Sequence, residues 1–272
     1  MKLRKKLAVI TAAALAVCLL LTSCSSQRED TGVAYDKKMS ITSAKDLEGK
    51  AVAVQLLSPI DDYIVENKLT DYPRRYENLE NAVTDLVDKK VAVIVTDAHY
   101  AKKLVEGNDK VKIVKGSIAS LNYHFRFTEA DSALAEQFNT QIAALKDSGE
   151  LDTVINAELG SDNHFASPAA KELSGTATLV TPVGLKPFVY EDEGSIVGFL
   201  PAVSQRLAQA CGMNIAVKTA YAAEVTDTVT SGEADEHRFC VTVNPQSEEG
   251  FVNTQPFYTS ELVMIIRSDA KK

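Results

Sequence analysis

Apolar positions along this chain fall into two alternating patterns, short continuous runs and longer stretches at helical spacing. Ala51-Val52-Ala53-Val54-Gln55 is a short apolar run of strand type, and Val91-Ala92-Val93-Ile94-Val95 is a continuous run of the kind expected from a buried parallel strand. Between them Leu79, Val83, Leu86 and Val87 recur at helical spacing, which predicts a helix over residues 78–87. The series continues with a predicted helix at 98–105, a strand at 111–114 and a strand-like run at 123–127. Leu134, Phe138, Ile142 and Leu145 then mark one face of a helix over 132–146, and a last short helix follows at 151–159. Residues 160–175 carry Ser, Asp, Asn and Pro with little period, as a linker or surface loop does. A second series then gives strands at 177–180, 215–218, 236–243 and 261–267, and helices at 199–210 and 223–231. Strands alternating with helices predict an open α/β sheet that binds ligands at the carboxyl ends of its strands.

Two strand-to-helix junctions stand out. Ser43 is positioned to cap a single turn, and Ser58 to cap a helix whose first position is Pro59. The Ser58 junction offers free backbone N–H groups to a carboxylate or other anion, or it is a plain capped helix. At the end of the 91–95 run, Thr96 or Asp97 caps the next helix; for Asp97, cap and ligand contact are compatible roles.

The N-terminus has a different character. Lys2, Arg4, Lys5 and Lys6 precede an apolar stretch over 7–21 that is short for a membrane span, as in an export signal. Leu21-Thr22-Ser23-Cys24 resembles a lipobox, which implies a signal peptide over 1–23, lipid attachment at Cys24 and a tether over 24–38. The alternative is an ordinary signal peptide ending near a cysteine. Removal of 1–23 takes away four positive charges and no negative ones, moving the formal charge from −8 to −12. No basic stripe can neutralise a row of phosphates, which argues against nucleic-acid binding. Cys211 and Cys240 remain in the folded part; export permits one bridge, and two buried free thiols are the preferred expectation. No ligand spacing for a metal is present, and the 4 histidines are far apart.

Several stretches carry a resemblance. Pro187-Phe188-Val189-Tyr190, Gly194-Ser195-Ile196-Val197-Gly198-Phe199, Ser231-Gly232-Glu233-Ala234-Asp235 and Thr254-Gln255-Pro256-Phe257-Tyr258 are similar to the first lobe of the family 3 extracellular solute-binding proteins. Asp46-Leu47-Glu48-Gly49-Lys50 before a Val-x-Val-Gln strand, Val95-Thr96-Asp97 and the helix closing at Gly149 are similar to the rest of that family. The resemblance implies an α/β fold: a two-lobed periplasmic-binding-protein type II clamshell with two hinge strands, its lobes in permuted order. Lobe 2 is expected over 39–122 and lobe 1 over 123–272, with closing helices at 130–159, a linker at 160–175 and the main lobe at 176–267. The family's circular order is then cut between Arg267 and Ile41 and rejoined through 160–175; a remnant of a tandem pair, swapped between molecules, is the alternative.

The function implied is capture of a small polar solute, an amino acid or derivative, for an ABC importer. The expected partners are that solute, a permease and the membrane through the lipid, on the extracytoplasmic face of the cell membrane, with the protein a monomer. No cofactor is implied. Carried over position by position, Asp97 matches the aspartate that pairs with the ligand ammonium and Ser58 the hydroxyl residue that holds its carboxylate. Phe188 or Tyr190 lies where an aromatic group covers the ligand, and Thr242 matches a hydroxyl position. Where the family reads Thr-x-x-Arg the chain has Asn244-Pro245-Gln246-Ser247, so Asn244 and Ser247 stand at the carboxylate site without its arginine. Leu200 and Ala202 replace acidic residues, Leu57 replaces a turn glycine, and Arg238 is a candidate replacement cation. A degenerate binding module without transport is the competing expectation. An enzyme lacks support, because no Ser-His-Asp set or carboxylate pair is present.

Overall fold

The computed structural model describes residues 32–36, 38–166, 173–232 and 236–270. The signal segment 1–23, Cys24, the tether up to residue 31, residues 167–172 of the linker and Glu233-Ala234-Asp235 lie outside the described residues.

The first series builds β1 (Val52–Gln55), α1 (Pro59–Glu66), β2 (Pro73–Tyr76), α2 (Leu79–Val87), β3 (Val93–Asp97), α3 (Ala98–Val105) and β4 (Val111–Ile113). β1 and β3 are buried at every position, as their unbroken apolar runs require, and they pair in parallel with Val52 opposite Val93. β5 (Ala119–Thr128) follows, longer than the run that announced it, then α4 (Ser132–Asp147) and α5 (Glu150–Glu158). The second series supplies β6 (Thr176–Thr181), the hairpin β7 (Tyr190–Asp192) and β8 (Ser195–Val197), α6 (Phe199–Ala210), β9 (Asn214–Thr219), α7 (Val225–Thr230), β10 (His237–Val243), β11 (Phe251–Asn253) and β12 (Tyr258–Arg267). Strands β2, β11 and the β7–β8 ladder are short and carry no continuous apolar run of the kind that announced β1 and β3.

One sheet runs β2-β1-β3-β12-β5-β10-β6-β9 through the described residues, with β4 joined to β12 and β11 to β5. Its centre is the antiparallel pair of the two ten-residue strands, β5 and β12, with Tyr258 opposite Tyr123 and Leu262 opposite Ala119. The far half of β12 continues onto β3 and β4, and the far half of β5 onto β10 and β11. The fold is thus mixed α/β, with the two long strands β5 and β12 joining the halves of the sheet.

Alternation along β5 turns Leu121, Tyr123, Phe125 and Phe127 inward. Phe125 and Phe127 meet Phe138 of α4 edge-on and Phe239 of β10, and Phe125 stacks on Phe257 at 4.1 Å. Aromatic packing of this kind makes truncation of one ring to Ala cost roughly 3–5 kcal/mol. A second cluster, with Leu79, Leu86, Ile94, Tyr100 and Ile265, fills the space under α2 and α3. Cys211 and Cys240 are free; Cys240 is buried and Cys211 half-buried.

Candidate functional site

A cavity of about 350 Å³ opens where β1, β3, β6 and β10 end, beside the start of α1. The first series contributes Gln55, Ser58, Ile60, Asp62 and Thr96; the second contributes Thr181, Pro182, Phe188, Leu200 and Val241 to Val243; Tyr123 comes from β5. This is the position expected of a ligand in an open α/β sheet.

Local sequence explains each placement. Ser58 is extended, its Oγ accepts from Asp61 N–H at 3.2 Å and donates to Gln55 carbonyl at 2.8 Å, and Pro59 fills the first helical position. The hydroxyl therefore caps α1 and ties it to β1. Leu57 precedes it at φ +57, so the backbone keeps the conformation a glycine would favour. Phe188 is held by Gly198, whose φ of +111 lets the Pro187 and Phe188 carbonyls approach closely. Its ring stacks on Tyr123 at 5.8 Å and 13°.

Asp97 requires a correction. It is fully buried and does not line the cavity. One carboxylate oxygen accepts from His99 N–H at 2.8 Å and Tyr100 N–H at 3.1 Å, capping α3; the other accepts from Tyr258 Oη at 2.5 Å and Ser260 Oγ at 2.6 Å. A carboxylate has about four acceptor positions, and here four donors fill them. The cap is the role the structure supports, and the ammonium contact has no free oxygen.

Ser58, Phe188 and Thr242 line the cavity; Tyr190, Asn244 and Ser247 do not. Tyr190 faces a separate polar pocket with Lys103, Glu158, His164 and Asp192, and Lys186 Nζ sits 5.1 Å over its ring. Asn244, at φ +44, exchanges two hydrogen bonds with the Asn122 backbone at 2.9 Å, which fixes the turn after β10, and Ser247 is exposed on the loop beyond it. Arg238 does not replace the missing cation, since its guanidinium donates to Thr228 carbonyl at 2.8 Å and to Glu236.

Three lining residues had no ligand role in the sequence expectations. Tyr123 and Thr96 are 3% and 2% exposed, yet among the described residues neither hydroxyl has a protein partner. Burial and the Asp97 charge push the Tyr123 phenol upward, so it stays protonated at any ordinary pH. Gln55 also lines the cavity, and its Nε2 donates to the Lys186 carbonyl at 2.7 Å. Their signal was position, since each lies at or near a strand end or on the crossing strand. Among the described lining residues there is no Lys, Arg or His. Asp62 is the carboxylate present; burial, then Asp61 and Glu66, push its protonation upward.

No protein-family model matches the chain. A phosphate-binding protein of a phosphate ABC transporter from Streptococcus pneumoniae TIGR4 is 11% identical with a TM-score of 0.45, covering 81% of this chain and 90% of its own. An ancestral cationic amino acid solute-binding protein is 13% identical with a TM-score of 0.38, covering 82% of each. Full-length CbnR in complex with its target DNA is 9% identical with a TM-score of 0.39 over 83% of this chain, which spans 64% of the CbnR chain. At these values the functional reading rests on the geometry of the chain itself.

Proposed function

We propose that this protein is an extracytoplasmic solute-binding receptor, held at the cell membrane by lipid on Cys24, that captures one small solute, an amino acid derivative or a compound of that size, and delivers it to an ABC permease. The observation that carries this reading is the cavity of about 350 Å³ at the carboxyl ends of strands from both lobes, with the crossing pair β5–β12 beside it. A solute touching both lobes favours whichever arrangement brings them together, and that differential contact is what a receptor of this kind uses. In this proposal the lobes follow one another in permuted order within a monomer, with lobe 2 over 39–122 and lobe 1 over 123–272. The reading is of a binding protein and assigns no enzyme activity.

A thermal-shift panel of amino acids, their derivatives, short peptides and polyamines tests the proposal. A specific solute raises the midpoint with concentration, by about 2.7 kcal/mol of stabilisation at 100 times Kd. A panel in which no compound moves the midpoint removes the receptor reading. A second reading, a binding module that has left transport, draws on the full occupancy of Asp97 by protein donors. Solute uptake by cells with and without the gene separates the two, because only the receptor supports uptake.

A further inference from the structure

We infer that the solute is bound as an uncharged molecule, its polar end on Tyr123, Thr96 and Gln55 and its apolar body against Ile60, Phe188 and Leu200. The inference rests on the receptor reading and narrows its solute.

The argument is one of matching groups. A buried carboxylate or ammonium needs an opposite charge or several directed donors or acceptors. Among the described lining residues no cation is present, and the nearby guanidinium of Arg126 is tied to Glu248 at 2.6 Å and Asn253 at 3.1 Å. The start of α1 is also poorly suited to an anion: Ser58 already caps it, and Asp61 and Asp62 in its first turn offset the helix dipole. An ammonium finds no free oxygen on Asp97, which has four protein donors, and the lining carboxylate Asp62 is only partly shielded from solvent, which weakens its pull. What remains on the lining are the Tyr123 and Thr96 hydroxyls, which hydrogen-bond to none of the described residues, the Gln55 amide and an apolar wall. A hydroxyl both donates and accepts, so this set fits an amide, carbonyl or alcohol.

Matched sets built on leucine and on phenylalanine test this by calorimetry on the whole mature protein. Each set contains the free amino acid, the N-acetyl acid, the amino acid amide and the N-acetyl amide, which differ in charge at near-constant shape. The N-acetyl amide is expected to bind at least about tenfold tighter than its charged counterparts. Tyr123→Phe is expected to weaken that binding by about tenfold while leaving the urea midpoint unchanged, because the lost hydroxyl has no protein partner. Tighter binding of any charged form, or unchanged affinity in Tyr123→Phe, overturns the inference. If only charged members of the wider panel bind, the inference falls and the receptor reading stands; if nothing binds, both fall.

Discussion

Tyr258 Oη donates to Asp97 Oδ2 at 2.5 Å, which fastens the start of crossing strand β12 to the end of β3. Ser260 Oγ reaches the same oxygen at 2.6 Å, and the other oxygen caps α3. The aspartate is thus a joint between a lobe, a helix and a crossing strand. Asp97→Ala would remove the acceptor of four donors, of which Tyr258 Oη keeps a 3.1 Å contact with His99 Nδ1, and charge-assisted bonds of this kind make a loss of about 3 kcal/mol the expected outcome. Urea unfolding measures it; an Asp97→Ala protein of parental stability would contradict the joint.

Gly198 controls the segment that carries Phe188. A Cβ there would lie 2.6 Å from the Pro187 carbonyl oxygen and 2.9 Å from that of Phe188, in a backbone with φ +111. Gly107 offers a control, with φ +68 and open space around it. Gly198→Ala is expected to cost clearly more than the roughly 1 kcal/mol of strain expected for Gly107→Ala. Thermal midpoints of both variants give the comparison, and equal losses would show that the Phe188 loop yields freely.

The two thiols should be slow to react in the folded protein. Burial pushes Cys211 up to about 11, and Cys240 up to about 11 as well, so little thiolate forms near neutral pH. Alkylation of the protein lacking residues 1–24 is expected to be slow when native and fast in denaturant, and reductant is expected to leave the thermal midpoint unchanged. A midpoint that falls on reduction would indicate a bridge.

Stability should depend on acid in opposite ways at two aspartates. Backbone N–H of Thr42 leads the groups that hold Asp46 below its ordinary 3.8, so its contribution is present above that value and lost as pH falls through the lower folded value. Burial, then Asp61 and Glu66, raise Asp62, so its protonated form is favoured on folding and stability is lost as pH rises through the raised value. At neutral pH Asp46→Asn should lower the urea midpoint and Asp62→Asn should raise it. The Asp62 difference should shrink toward zero below 3.8 and the Asp46 difference below its lower folded value, and differences that persist there would assign them to packing.

Which parts of the fold were readable depended on how far along the chain a signal repeats. The run of residues 91–95 announced a buried strand because all its side chains are apolar, and Ser58-Pro59 announced a helix start because both residues act on the next turn alone. Strand β2, Pro73–Tyr76, gave no such signal, since Arg74 and Arg75 are polar and their place in the sheet comes from backbone pairing with β1. The site was readable in place but not in detail. Asp97 is a good cap and a good ammonium partner in sequence alike, and only the approach of Tyr258 and Ser260, more than 160 residues away in the chain, closes the second role.

The sequence alone determined the alternation of strands and helices, the caps, the export-like N-terminus and the absence of an arginine after Asn244, because each is written in neighbouring residues or in their composition. The tertiary structure decided that β5 and β12 cross together at the centre of the sheet, that Asp97 is closed off, and that Tyr123, Thr96 and Gln55 stand at the cavity. Those facts depend on which distant strands become neighbours, and a hydrogen-bond group has no function until its partner, or its lack of one, is fixed in space.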